Sequence, residues 1–176
     1  VPGTLGNTLV STTLAGGGPA TGDVLDPLLS PDGTRILFRS AAPGLAANDA
    51  ASSDPDLPVD LFVRDLATGA TRRLFEGVAS GPADAPRYDW HPNGREVVVS
   101  PPLGGPDQLV DIATGAARDA VTATDGSALS SAFRAAFSPD GRAVLFGTAD
   151  PAITNAPGVA VLALKDLATG AIRVVP

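Results

Sequence analysis

Short runs of β-branched, aliphatic and aromatic residues alternate along the chain with turn-forming residues, and one such pattern is written three times. Its fullest copy is Ser138-Pro139-Asp140-Gly141 followed by Arg142-Ala143-Val144-Leu145-Phe146. An earlier copy runs Ser30-Pro31-Asp32-Gly33 before Thr34-Arg35-Ile36-Leu37-Phe38. A diverged one runs His91-Pro92-Asn93-Gly94 before Arg95-Glu96-Val97-Val98-Val99. Proline presets φ at the second turn position, Asp or Asn bonds locally, Gly accepts positive φ, and a strand-forming run follows. Each copy predicts a tight turn feeding a β-strand. The Ala-rich stretch Ser127 to Ala136 comes nearest to a helical pattern, but it occupies the first-strand slot of its repeat and is assigned as strand.

A second motif recurs in step with the first: Asp65-Leu66-Ala67-Thr68-Gly69, Asp111-Ile112-Ala113-Thr114-Gly115 and Asp166-Leu167-Ala168-Thr169-Gly170. Ser30, His91 and Ser138 lie 61 and 47 residues apart, and Asp65, Asp111 and Asp166 lie 46 and 55 apart. The uneven part is the loop between second and third strands, where insertions cost little. In the first unit, strands are expected near Leu28-Leu29, then over Arg35 to Arg39, Val59 to Arg64 and Thr71 to Phe75. The second unit places them at Pro86 to Trp90, Glu96 to Ser100, Gln108 to Val110 and Arg118 to Thr122. The third places them at Phe133 to Phe137, Ala143 to Phe146, Val159 to Lys165 and Ile172 to Val175. These units divide the chain at 24–81, 82–126 and 127–176. Residues 1–23 form a partial unit whose strand, Asn7 to Leu14, is expected to complete a neighbouring blade. The fold class is all-β: four-stranded antiparallel units of this length are the blades of a β-propeller.

Composition narrows the partners. Twenty Gly and seventeen Pro suit many short strands joined by turns. Twelve basic against nineteen acidic residues give a net charge of −7, which argues against nucleic acid and against anionic membrane surfaces. Without cysteine there is neither a disulfide nor a thiolate metal site. No apolar run approaches the length of a membrane-spanning helix, so membrane insertion is not expected. The chain starts Val1-Pro2-Gly3, with no initiator Met or signal peptide, and is expected to be a processed form or a piece of something longer.

The paired motifs resemble the TolB-like, WD40-like (PD40) propeller repeat. Closer still is the pattern of bacterial secreted repeat proteins, matched here by Ser30, Asp32-Gly33, Phe38, Ser40, Leu45, Asp60, Phe62-Val63, Asp65 and Thr68-Gly69. The resemblance covers nearly the whole chain and implies a propeller, with an extracellular or periplasmic bacterial location. It does not imply one function, because propellers host many.

Candidate chemistry is sparse. Asp49, Asp54 and Asp56 on one loop offer the carboxylate oxygens that Ca²⁺ takes, although the EF-hand glycine and terminal Glu are missing. The competing reading is a solvated loop whose Asp residues cap turns. Apart from this Ca²⁺ candidate, no cofactor is expected. His91, the sole histidine, fills the slot of Ser30 and Ser138 and reads as a turn residue. Asp65, Asp111 and Asp166 read as Asx-turn acceptors, which favours structure over catalysis. Leu29, Trp90 and Phe137 share the position before the turn and are expected to pack on neighbouring blades, with Tyr88 and Trp90 alternatively lining an exposed face. Gly16-Gly17-Gly18 lacks the strand-to-helix context of a phosphate loop and reads as a linker.

Closed propellers have about four to eight blades. Three units therefore leave apolar faces to be covered by a second chain closing a ring, by head-to-tail filament contacts, or by further blades. The leading expectation is a non-enzymatic scaffold outside the cytoplasm that binds a protein partner or itself. The alternatives are the gating propeller of a larger prolyl-oligopeptidase-like hydrolase and a Ca²⁺-stabilised repeat module.

Overall fold

A computed structural model describes residues 9–13, 24–47, 49, 59–76, 87–101, 106–129, 132–156 and 158–176. Its strands form three four-stranded antiparallel sheets, each in sequential order. The first holds β1 (Val24–Leu29), β2 (Arg35–Ser40), β3 (Asp60–Asp65) and β4 (Thr71–Phe75). The second holds β5 (Arg87–Trp90), β6 (Glu96–Ser100), β7 (Gln108–Asp111) and β8 (Ala117–Asp119). The third holds β9 (Ala132–Phe137), β10 (Ala143–Thr148), β11 (Val161–Asp166) and β12 (Ile172–Val175). Each sheet is a meander of adjacent strands, the form of a propeller blade.

Alternation within the strands assigns their faces. Leu37 of β2 points toward the second sheet and joins Leu61, Val63, Trp90, Val97, Val99, Val110 and Ile112 in a buried cluster. Val98 of β6 points the other way, into a cluster with Val144, Phe146 and Ala163 of the third sheet. The opposite face of the first sheet buries Phe38 and Phe62, stacked at 5.6 Å, beneath Ala42, Leu45 and Ala46 of its own β2–β3 loop. Among the described residues, two buried clusters thus join successive blades, and a third is built within one.

The strand expectations hold with local differences. β1 extends back to Val24, with a register shift between Leu25 and Leu28. Asp26 has φ of 49° there, and Pro27, lacking an N–H, suits such an interruption. The fourth strand of the second unit is shorter than Arg118 to Thr122: it ends at Asp119, and Thr122 instead forms an isolated bridge to Ala128. One helical turn, α1 (Pro151–Thr154), stands in the β10–β11 loop, where the Asp150 side chain accepts from Ala152 N–H. Of Asn7 to Leu14, the described residues 9–13 carry no strand of a sheet; the remainder of that segment, like Gly16-Gly17-Gly18, lies outside the described residues.

Candidate functional site

The repeated motifs build one device three times. In the first turn, Ser30 Oγ donates to Asp32 Oδ1 at 2.6 Å and accepts from Arg35 N–H at 2.9 Å. Ser138 repeats both bonds with Asp140 and Ala143 at the same distances. The turn closes through Gly141, whose N–H reaches Ser138 O at 2.8 Å and whose φ of 67° favours glycine. His91 takes the serine's place with its ring: Nδ1 accepts from Asn93 N–H, while Nε2 lies 3.1 Å from Gly141 O of the next blade. These contacts suit the neutral imidazole with its proton on Nε2. Phe137 meets the same ring edge-on at 4.5 Å.

Asp65, Asp111 and Asp166 each accept two backbone N–H groups and one threonine hydroxyl through Oδ1. The two turn types then meet, through Leu66 N–H to Thr34 O, Ile112 N–H to Arg95 O and Leu167 N–H to Arg142 O. The motif carboxylates are therefore committed to structure.

Hydrogen bonds to the ionised form hold Asp65, Asp111, Asp125, Asp140 and Asp166 below the ordinary carboxylate value. For Asp32 the Ser30 hydroxyl is the largest cause, and its pKa falls from 3.8 to about 2. A carboxylate depressed in the folded state contributes stability above its unfolded pKa and loses it as pH falls through the folded value. The thermal midpoint is expected to drop as pH is lowered from about 4 toward 2, followed by circular dichroism. A midpoint that stayed flat or rose would contradict these turns.

Between blades the contacts are specific. Arg72 of β4 reaches across to the second blade's turn, donating to the carbonyls of Ile112, Ala113 and Thr114 at 3.3, 2.7 and 2.5 Å. Arg35 adds Gly94 O at 3.4 Å. These two arginines, with Val63, Asp65 and Ile112, line a cleft of about 150 Å³, smaller than the roughly 300 Å³ and upward of ordinary ligand pockets. Trp90 Nε1 donates to Leu28 O at 3.1 Å, and Tyr88 Oη donates to Asp26 O. Burial is the main cause raising the Tyr88 hydroxyl to about 12.

The interface of the second and third blades uses buried charge instead. Asp107 Oδ2 accepts from Ala135 N–H at 3.0 Å, and Asp89 reaches Phe137 N–H, so two carboxylates satisfy donors on the edge strand β9. Burial raises both carboxyls, opposed at Asp107 by the Ser100 hydroxyl and the Ala135 N–H. Lys165, the chain's sole lysine, is buried with Nζ donating to Thr122 O and Oγ1 at 2.8 and 2.7 Å, and desolvation lowers its pKa. Asp107 Oδ1 has no hydrogen-bond partner among the described residues. A raised carboxyl costs nothing below its unfolded pKa and destabilises as pH rises through the folded value. Asp107→Asn is therefore expected to raise stability more near neutral pH than near pH 3, by urea unfolding at both. A loss at neutral pH would show that the ionised carboxylate is the stabilising form.

Sequence reasoning found the turns and missed Arg72, Asp107 and Lys165. Arg72, Arg118 and Arg173 all stand seven residues beyond the Asp of their turn, so a repeat alignment would have singled them out. Of the Ca²⁺ candidates, Asp49 accepts from Leu45 N–H at 3.1 Å and its own N–H reaches Ala46 O, as a turn cap does. Asp54 and Asp56 lie outside the described residues. Among the described residues no three His, Cys, Asp or Glu side chains gather as metal ligands do. Trp90 and Phe137 pack on the preceding blade as expected, and Trp90 is buried, not part of an exposed face. Leu29 is a correction: it is exposed, because no described blade precedes it.

With three stacked four-stranded meanders and their blade-to-blade ties in view, similarity to solved structures decides the fold. TolB from Acinetobacter baumannii superposes with a TM-score of 0.54 at 19% identity, covering 88% of this chain and 32% of that one. The chain has a TolB-like β-propeller fold. The propeller domain of the Trilobed protease from Pyrococcus furiosus, which has an open velcro topology, matches at 0.53 and 12% identity, over 88% of this chain and 43% of its own. An oligogalacturonate lyase in complex with manganese matches at 0.53 and 16%, over 89% and 47%. The chain thus spans about a third to a half of the length of these structures. No family model and no curated protein matches the sequence.

Proposed function

We propose that this chain is a non-enzymatic propeller scaffold that acts outside the cytoplasm through contacts with protein, its own copies included. One observation carries the reading: the Ser, Asp and Thr side chains of the repeated motifs are taken up by their own turns, whereas large apolar side chains stand exposed on the outer sheet faces. Leu29 lies on one such face, and Leu145 and Leu162 on the other. Contiguous exposed apolar surface marks interaction sites. Among the described residues no helix is long and apolar enough to cross a membrane.

The test is native mass by light scattering over a concentration series. Mass rising above that of one chain supports contacts through these faces. A monomer at every concentration that binds no hydrophobic dye overturns the reading. A monomer that binds the dye, from a gene encoding a nucleophile elbow downstream, supports the alternative of a gating propeller in a larger hydrolase.

A further inference from the structure

The three blades stand in register, so what covers the trailing face of the first blade indicates what fits the same face of the third. The trailing face of the first blade carries Leu37, Leu61 and Val63, with Arg72 at its rim, and the second blade covers it. Strand register places Leu145, Leu162, Leu164 and Arg173 at the equivalent positions of the third blade. Leu37 and Leu61 are each 0% exposed, whereas Leu145 is 38% and Leu162 54% exposed.

Arg173 is the counterpart of the arginine that latches onto the next blade, and among the described residues it makes no side-chain hydrogen bond or ion pair. In the second blade the same position, Arg118, is held at 2.5 Å by Glu96 of its own sheet. The third blade has Ala143 in the place of Glu96, so its arginine is left to reach outward. The carboxylates Asp89 and Asp107 of the second blade are likewise replaced by Ala136 and Leu162. The third blade's trailing face therefore matches the face that the first blade turns toward a neighbour.

The complementary surface is present on the first blade. A covered leading face uses Trp90, 5% exposed, and Ile112, 8% exposed, beside the turn carbonyls that Arg72 bonds. The equivalent residues of the first blade, Leu29 and Leu66, are 55% and 39% exposed. They stand beside the turn 66–68, which corresponds to the turn that receives Arg72.

We infer that the occupant of the third blade's trailing face is the first blade of a second copy, docked head to tail. In this contact Arg173 donates to the carbonyls of the Leu66-Ala67-Thr68 turn, and Leu145 and Leu162 cover Leu29 and Leu66. This rests on the scaffold reading and names its partner. Such a contact is heterologous, so it closes a ring where the rotation permits and otherwise continues as a filament.

The test uses two variants of the full chain. Leu162→Asp with Arg173→Glu removes the trailing face, and Leu29→Asp with Leu66→Asp removes the leading face. All four side chains are on the surface, and unchanged circular dichroism and Trp90 fluorescence confirm folding. Each variant alone should have the mass of one chain at concentrations where the parent assembles. Mixed in equal amounts they should form a one-to-one complex and nothing larger, because one intact face of each kind remains. A parent that stays monomeric overturns both this inference and self-assembly. A parent whose assembly survives both variants, or variants that fail to complement, overturns the head-to-tail contact and leaves the scaffold reading intact.

Discussion

Phe146→Ala is expected to remove about 3–5 kcal/mol of folding stability, measured by urea denaturation at a protein concentration low enough to keep the chain monomeric. The phenyl ring is fully buried between the second and third sheets, in a cluster with Val98, Leu109, Val144 and Ala163. Large-to-small replacement loses the transfer free energy of the ring and leaves a cavity that the sheets can only partly close. Against a total stability of about 5–15 kcal/mol, that is enough to unfold a marginal domain. The adjacent Leu145 is the control. One step along a strand reverses the face, and Leu145 points away from that cluster, so Leu145→Ala should cost less than about 1 kcal/mol. Equal losses at the two positions would mean the strand register is wrong.

This contrast also shows what was legible in the sequence. The turn Ser138-Pro139-Asp140-Gly141 announces where β10 starts, and alternation along Ala143 to Thr148 then divides its side chains between two faces. Turn chemistry and period-two patterning are local, so each copy can be read without its neighbours. What lies across a blade interface is not local. Arg72 and Arg118 stand at the same position of the repeat, seven residues beyond the turn Asp, yet one bonds carbonyls about forty residues away and the other stays on its own sheet. The difference lies in what occupies the position beside each. For Arg118 that residue is Glu96, whose counterpart in the first blade, Arg35, is another cation. Asp107 eluded the sequence for a related reason. It fills the strand slot where the first blade has Leu61, and a buried carboxylate at an apolar position shows its purpose only beside the edge strand that it serves.

Leu29 and Trp90 occupy the same position in successive blades, so they put the blade-stacking principle to a direct test. Trp90→Ala is expected to cost about 3–5 kcal/mol, because it empties the centre of the first interface and strands the Leu28 carbonyl that Nε1 now bonds at 3.1 Å. Trp90→Phe keeps much of the packing and gives up the hydrogen bond, so its cost should be smaller, about 1–2 kcal/mol. Leu29→Ala should cost less than about 0.5–1 kcal/mol in the monomer, since the side chain is already largely in water. Circular dichroism in urea suits all three variants, because removing the sole tryptophan also removes the fluorescence probe. Both Trp90 variants rank above Leu29→Ala because they act on a side chain with a blade against it, and Leu29→Ala does not. Should Leu29→Ala prove as costly as Trp90→Ala in the monomer, something within the chain must already cover the leading face, and the docking contact proposed for a second copy would lose its site. Should its cost instead grow with protein concentration, the missing blade is being supplied by another molecule.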